Sequence, residues 1–206
     1  MKNLTIITLN QPNITDFAMA RNIELAKATT PWVLFLDSDE TLSPELESEI
    51  ASALRADEYS AYYIRRLDIF LGQQLFHGET AHAQFVRLAR RDFGKWVRPV
   101  HETWDPTSTI RIGQLKHPII HHAHPDISSF LAKINGYSDI EASYRKSQGI
   151  KSSLFKIWMY PLAKFKLNYF FRLGFLDGVP GIIMAMMMSF HSYLTWTKLY
   201  LLWHKK

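Results

Sequence analysis

The chain has 206 residues, 47% hydrophobic and 14% aromatic, which is enough apolar side chain to close a core and too much for general disorder. It has no cysteine, which excludes disulfides, zinc–thiolate and iron–sulfur centres and thiol nucleophiles. The net charge is +5, but residues 151–206 hold eight Lys/Arg against one acid, Asp177, while residues 1–150 hold sixteen basic groups against eighteen acidic ones. The basic excess therefore belongs to the C-terminal part, where lysines alternate with Phe, Trp, Tyr and Leu. That mixture points to an anionic membrane surface and away from nucleic acid.

In chain order, residues 4–9 (LTIITL) are rich in β-branched side chains and predict a strand. The run is too short for a secretory signal and lacks a small-residue cleavage site, so export is not expected. Thr15 or Asp16 can cap a helix over 16–29. Thr29-Thr30-Pro31 breaks it, and Trp32-Val-Leu-Phe-Leu36 follows, five apolar residues without alternation. Such a run suits a strand buried on both faces. Ser43-Pro44-Glu45 opens a second helix to about residue 56, with Pro at its first position and acids in its first turn. Strands are expected over 59–70, 83–88 and 110–115, with another ending near 119–120. Residues 96–104 read as irregular because of Pro99, and 128–148 as a helix. The segment 154–175 is basic, aromatic and interrupted by Pro161. Residues 179–197 carry no charge over 19 positions, near the roughly 20 residues that cross a bilayer.

The sharpest local signal is Phe35-Leu-Asp37-Ser-Asp39-Glu40. A buried strand there delivers two carboxylates, one residue apart, at its carboxyl end, where open α/β sheets bind ligands. Alternate residues of an extended chain point the same way, so Asp37 and Asp39 can face one ligand. Hard oxygen donors of this kind suit Mg²⁺ or Mn²⁺ shared with substrate phosphates.

These residues also carry a family resemblance. The stretch Phe17-Ala-Met-Ala-Arg21-Asn22-Ile-Glu-Leu-Ala26-Lys27 through Asp37-Ser-Asp39-Glu40 resembles the family-2 inverting glycosyltransferases, especially the bacterial subgroup that builds the lipopolysaccharide core and related surface glycans. Arg87-Leu88 with Arg90-Arg91, Val100-His101-Glu102, Lys133-Ile-Asn135-Gly-Tyr137 and Gly174 to Gly181 resemble further family motifs, in order along the chain. The resemblance implies an α/β fold of GT-A (Rossmann-like) type, a mixed sheet with flanking helices. It implies a catalytic domain over 1–150, followed by an amphipathic, membrane-associated helical tail over 151–206. It makes Asp37 and Asp39 the metal ligands. Arg21, Asn22, Asp37, Asp39 and Arg87 become nucleotide-sugar-binding residues. Glu102 becomes the general base, with His101 orienting it or touching diphosphate, and Trp96 and Trp104 become surfaces on which a sugar stacks. Lys27 reads as part of a solvated helix face.

The implied reaction is inverting transfer from a nucleotide sugar, with a divalent cation, to a lipid-linked or lipopolysaccharide-core glycan acceptor. Its expected place is the cytoplasmic face of the inner (cell) membrane, held peripherally, monotopically or by one C-terminal span. The family's opening strand, "YNE"-type turn, helix and second strand do not fit before Arg21-Asn22, so the domain reads as truncated at its N-terminus. The alternative is an inactive glycosyltransferase remnant or a membrane-binding module. His117, His121, His122 and His124 read as local hydrogen-bonding groups, with His122 and His124 the one pair placed to share a metal. Arg65-Arg66 and Arg90-Arg91 read as solvated strand ends or acceptor-phosphate contacts. The methionine run at 184–188 reads as core- or lipid-facing filler.

Overall fold

A computed structural model describes residues 3–9 and 14–205. In chain order its elements are β1 (Leu4–Thr8), α1 (Phe17–Lys27), β2 (Trp32–Leu36), β3 (Glu40–Thr41), α2 (Pro44–Ala56), β4 (Ala61–Phe70), β5 (Gln73–Gln74), β6 (Gln84–Arg90), β7 (Gly94–Val97), β8 (Thr103–Pro106), β9 (Ile112–Gln114), β10 (Ile119–Ala123), α3 (Ile127–Ser147), α4 (Leu154–Lys166) and α5 (Gly178–His204). They pack as two units. One comprises the chain up to Leu67 with Ala83–His122, and the other comprises Asp68–His82 with the chain from Ala123 onward. This division follows packing and differs from the 150/151 division suggested by charge, because α3 packs with α5.

In the first unit the sheet runs β1-β2-β6-β4-β10-β3, with β9 also beside the start of β4. β1 and β2 are parallel and in register from Leu4↔Trp32 to Thr8↔Leu36, whereas β2 and β6 are antiparallel. This is a mixed α/β sheet with flanking helices, as the GT-A resemblance implies. β2 is buried at all five positions and divides its side chains by parity. Val33 and Phe35 join Ala18, Leu25 and Ala28 around α1, while Trp32, Leu34 and Leu36 join Leu46 and Ile50 of α2. Each such fully buried large side chain contributes about 1.5–3 kcal/mol. The helix starts follow the sequence. Asp16 accepts the Met19 N–H at 2.8 Å, and Ser43 accepts the Leu46 N–H at 3.2 Å ahead of Pro44.

Residues 96–104, expected to be irregular, belong instead to a β7–β8 hairpin that pairs Trp96 with Trp104 and keeps Pro99 in its loop. The two rings pack on Phe35, at 4.9 and 5.8 Å between centroids, and on each other at 5.8 Å. A side chain at Gly94 would meet the Trp104 ring at 2.4 Å, so the hairpin needs glycine there.

In the second unit α3, α4 and α5 enclose two clusters: Phe70, Leu75, Phe130, Ile134, Met184 and Met187, then Ala142, Ile157, Trp196 and Leu199. Two of the methionines thus face the core. Pro161 does not interrupt the basic segment. α4 runs through it with the ring on its buried side, and Ser189 Oγ donates to the Pro161 carbonyl at 2.8 Å. Asp177, just before α5, grips the loop after β5. Its carboxylate accepts from the His77 N–H and His77 Nδ1, each at 2.8 Å, and from the Phe76 N–H at 3.2 Å. Gly181 approaches so closely that a Cβ would lie 2.0 Å from the Gly174 carbonyl oxygen. The Gly174–Gly181 motif is therefore a packing device within this unit. Among the described residues, one helical stretch, Gly174–His204, is long and apolar enough to cross a membrane by length and composition.

Glu79 supplies a pH test. Burial pushes its carboxyl up, but the Lys164 ammonium at 2.6 Å, the Asn168 amide at 3.0 Å and Arg172 outweigh it and hold the group below its ordinary value. A carboxyl depressed in the folded state adds stability above its unfolded pKa and loses it as pH falls through the folded value. Glu79→Gln should lower the urea midpoint at pH 7, and its gap from wild type should narrow as pH falls below about 5. Urea titrations across pH check this.

Candidate active site

β2 ends in a turn that closes on itself. The Glu40 N–H donates to the Asp37 carbonyl at 3.0 Å, and the Asp37 N–H donates back to Glu40 Oε2 at 3.0 Å. The Glu40 side chain is fully buried. From β6, the antiparallel neighbour, Arg87 Nη2 donates to Asp37 Oδ2 at 2.8 Å and to Glu40 Oε1 at 2.9 Å. From α1, Arg21 is only 1% exposed and donates through Nη2 to Asp37 Oδ1 and through Nε to Glu102 Oε1, the latter at 2.8 Å. Glu102, Arg21, Asp37, Arg87 and Glu40 thus form one chain of alternating charge.

The charge states follow from this geometry. Burial raises the Asp37 carboxyl, but Arg87 and Arg21 together overcome it and hold the group well below the usual carboxylate range. Burial also raises Glu40. Arg87 opposes that, the neighbouring Asp37 charge adds to it, and the net shift is upward. Burial lowers Arg87, yet Asp37 and Glu40 hold it above the ordinary arginine value. Asp37 is therefore the settled anion of the turn, and Glu40 the carboxyl more readily protonated.

Arg21 sits with its guanidinium carbon 5.0 Å from the Trp96 ring centre and 5.9 Å from that of Phe35. Its Nη1 is buried without a hydrogen-bond partner. The adjacent Asn22 spends its amide on the backbone of Trp96, donating to the carbonyl and accepting the N–H, both at 2.9 Å. An open groove lined by Met19, Asn22, Ile23, Trp96 and Arg98 runs beside this clamp. Two non-glycine residues of the loop before Glu102 adopt left-handed backbone, Arg98 at φ 76° and His101 at φ 50°. Such positions persist where the surroundings over-determine them. Here the Phe17 N–H also fastens the loop through the Pro99 carbonyl at 2.8 Å. His101 lies exposed on that loop. Trp96 and Trp104, expected to stack on a sugar, are buried against Phe35 and serve as core instead.

Asp39 stands on the same turn as Asp37, with His121 Nε2 3.4 Å from its Oδ2. β3 pairs with β10 at Glu40↔His121, which brings that histidine to the acids. His117 pairs with Glu49 at 2.8 Å, and His124 stacks on Phe130 at 3.6 Å. The Asp37 and Asp39 side chains are 35% and 28% exposed. They present only hard oxygen donors, which fits Mg²⁺ or Mn²⁺ held jointly with substrate phosphates. Among the described residues no three His, Cys, Asp or Glu side chains converge as a complete metal cage.

Arg21, Asp37, Arg87 and Glu102, singled out in the sequence, meet in one network. Asp39 lies on its turn, Asn22 beside it on α1, and His101 on the Glu102 loop. Glu40 carries no separate role in the sequence reading, whereas the resemblance places one histidine of the 117–124 cluster near the site, and His121 is the member beside Asp39. The available signal for Glu40 was its place at the end of the acidic run. For His121 it was a cluster of four histidines whose members only the strand register separates.

An acidic turn at the end of a buried strand is thus tied through Arg21 to a carboxylate on a neighbouring loop, in an α/β unit whose class the family comparison supplies. Residues 2–137 match glycosyl transferase family 2, an inverting family, and the chain belongs to it. It is 28% identical over 179 residues to uncharacterized glycosyltransferases of Rickettsia conorii and Rickettsia prowazekii, a match covering 82% of this chain and 64% and 61% of theirs. The chain thus spans less than two thirds of the length of these relatives. It is also 26% identical over 193 residues to a lipopolysaccharide core biosynthesis glycosyltransferase of Rhizobium meliloti, covering 89% of this chain and 69% of that protein.

Arg87 is the test of the network. Arg87→Ala leaves the buried Glu40 without its cation and Asp37 with Arg21 alone, and should cost about 3–5 kcal/mol in urea unfolding. Adding Glu40→Gln should recover part of that loss, because it removes the carboxyl most in need of the arginine.

Proposed function

We propose that this chain carries out inverting transfer of a sugar from a nucleotide sugar to a glycolipid acceptor of lipopolysaccharide-core type, at the cytoplasmic face of the inner membrane. The observation that carries the reading is the bridge through Arg21 between the acidic turn, Asp37-Ser-Asp39, and the loop carboxylate Glu102. It ties a diphosphate-binding end to a proton-accepting end. The Rhizobium relative and the basic, aromatic C-terminal part favour a lipid-linked glycan as acceptor.

Asp37 and Asp39 would hold the divalent cation, which when bound neutralises charge on the departing diphosphate. Arg87 keeps Asp37 ionised for that task. Arg21 offers Nη1, its unpartnered nitrogen, to the donor's diphosphate. Asn22 fixes the Trp96 wall of the groove, and His101 stands beside the base on its loop. Glu102 takes the proton from the acceptor hydroxyl. As that O–H bond breaks, the oxygen forms a bond to the anomeric carbon, and the bond from that carbon to the diphosphate oxygen breaks on the opposite face. The electron pair leaves with the nucleoside diphosphate, and the configuration inverts. Arg21 holds Glu102 by Oε1, so Oε2 is the oxygen assigned to the proton.

The experiment is transfer of radiolabelled sugar from a panel of nucleotide sugars to rough lipopolysaccharide and its delipidated core, with product configuration read by NMR. Chelation should abolish turnover, and Mn²⁺ or Mg²⁺ should restore it. Glu102→Gln should lower kcat by about 10²–10⁴-fold at unchanged donor Kd. Asp39→Asn should weaken donor binding. Wild-type turnover in either variant overturns its assigned role, and no transfer from any donor overturns the reading for this chain.

A further inference from the structure

The second unit carries a surface that the transfer chemistry does not use. On α4 the buried positions are Ile157 and Pro161. The opposite stripe, at helical spacing, is Phe155, Trp158, Met159 and Leu162, and it is apolar as well. Phe155 and Trp158 are each 70% exposed. A helix whose outer face meets only water carries polar residues there. The pattern continues along the chain with Phe170, with Phe171 at 78% exposed, and with Leu176 and Val179. Between Lys151 and Leu176 there is no acid, while Lys151, Lys156, Lys164, Lys166 and Arg172 are interspersed. Lys164 is committed to Glu79, and Lys166 closes the exposed stripe.

α5 is the element whose length suggests a span, but its polar contacts bind it along its length. Ser189 donates to the Pro161 carbonyl, and Ser152 to that of Trp196. Lys198 Nζ reaches the Asn135 carbonyl at 2.6 Å and Asp139 at 2.8 Å. Trp203 Nε1 donates to the Ile150 carbonyl at 2.9 Å. Met184, Ala185, Trp196 and Leu199 fill the core. Crossing a bilayer would break these contacts and pull Lys198, at the end of the uncharged run, away from Asn135 and Asp139.

We propose that the exposed face of residues 154–179 is an interfacial docking surface for an anionic lipid bilayer, with α5 as its internal scaffold and not a membrane span. Aromatic side chains enter the headgroup–acyl boundary, and the flanking lysines extend to lipid phosphates. Charge selects this occupant over a second copy of the chain. Face-to-face pairing would oppose two sets of four uncommitted cations, Lys151, Lys156, Lys166 and Arg172, and the segment's one acid, Asp177, is buried in its own unit. The inference deepens the reading of a membrane-borne acceptor and stands on different residues from the transfer chemistry.

The test is flotation of the full chain with phosphatidylcholine vesicles, with and without phosphatidylglycerol. Anionic vesicles should bind it, and the Phe155→Ser/Phe171→Ser variant should bind about tenfold more weakly. Lipids brominated near the headgroup end of the acyl chain should quench tryptophan emission more than lipids brominated near its terminus. Trp158→Phe should remove most of that quenching, and alkaline carbonate should strip the bound protein. Undiminished binding by the double variant overturns the docking face. Carbonate-resistant protein with deep quenching overturns the interfacial mode in favour of a span. A dimer abolished by the same substitutions, without vesicle binding, overturns the lipid in favour of a second copy. Transfer to the delipidated core separates the two readings: the Phe155/Phe171 variant should retain it, and Asp39→Asn should lose it while still floating with vesicles.

Discussion

Two guanidinium groups, Arg21 and Arg87, lie almost fully buried beside three carboxylates, two in the turn after β2 and one on the β7–β8 loop, and the candidate site depends on that arrangement. Buried charges are tolerated only when paired and hydrogen-bonded, and removing one partner is strongly destabilising. The same pairing that lets the first unit enclose these groups also fixes where they stand. Asp37 is held between two arginines on opposite sides. Glu40 locks the turn from beneath, and Glu102 is drawn toward the acids by the other end of Arg21. Stability and site geometry are therefore one constraint here.

Much of this was legible in the sequence because strand and helix periods differ. The uninterrupted apolar run at 32–36 announced a strand covered on both faces, and its alternating residues do divide between α1 and α2. The acids at its end, the Asp16 and Ser43 caps, and the helix boundaries followed from local chemistry. The β7–β8 hairpin did not, because its stability comes from Trp96, Trp104 and Phe35 meeting across long sequence distances. Local pattern registers only Pro99, which the hairpin accommodates in its loop. For the same reason two tryptophans that read as sugar platforms are core.

The site was legible as a set of residues and not as a network. Arg21, Asp37, Arg87 and Glu102 are far apart in the chain, and nothing in their spacing states that one arginine bridges two of the acids. Glu40 and His121 were hidden differently. Their importance rests on register, with Glu40 opposite His121 in a two-residue strand too short for any periodicity to reveal. In the second unit, Pro161 read as a break because an internal proline loses a backbone hydrogen bond. Tertiary packing of α4 against α5 overrides that local cost.

The order in which the charges occur along the chain has a consequence for how the site is made. Arg21 comes 16 residues before Asp37, Arg87 comes 50 residues after it, and Glu102 comes 81 residues after Arg21. As the polypeptide emerges from the ribosome, the acidic turn has one cation at first and lacks its second until β6 has left the exit tunnel. Arg21 in turn waits for its second carboxylate until the hairpin loop has appeared. The site is thus assembled from its nearest sequence partners outward, and is finished only after most of the first unit has been synthesised.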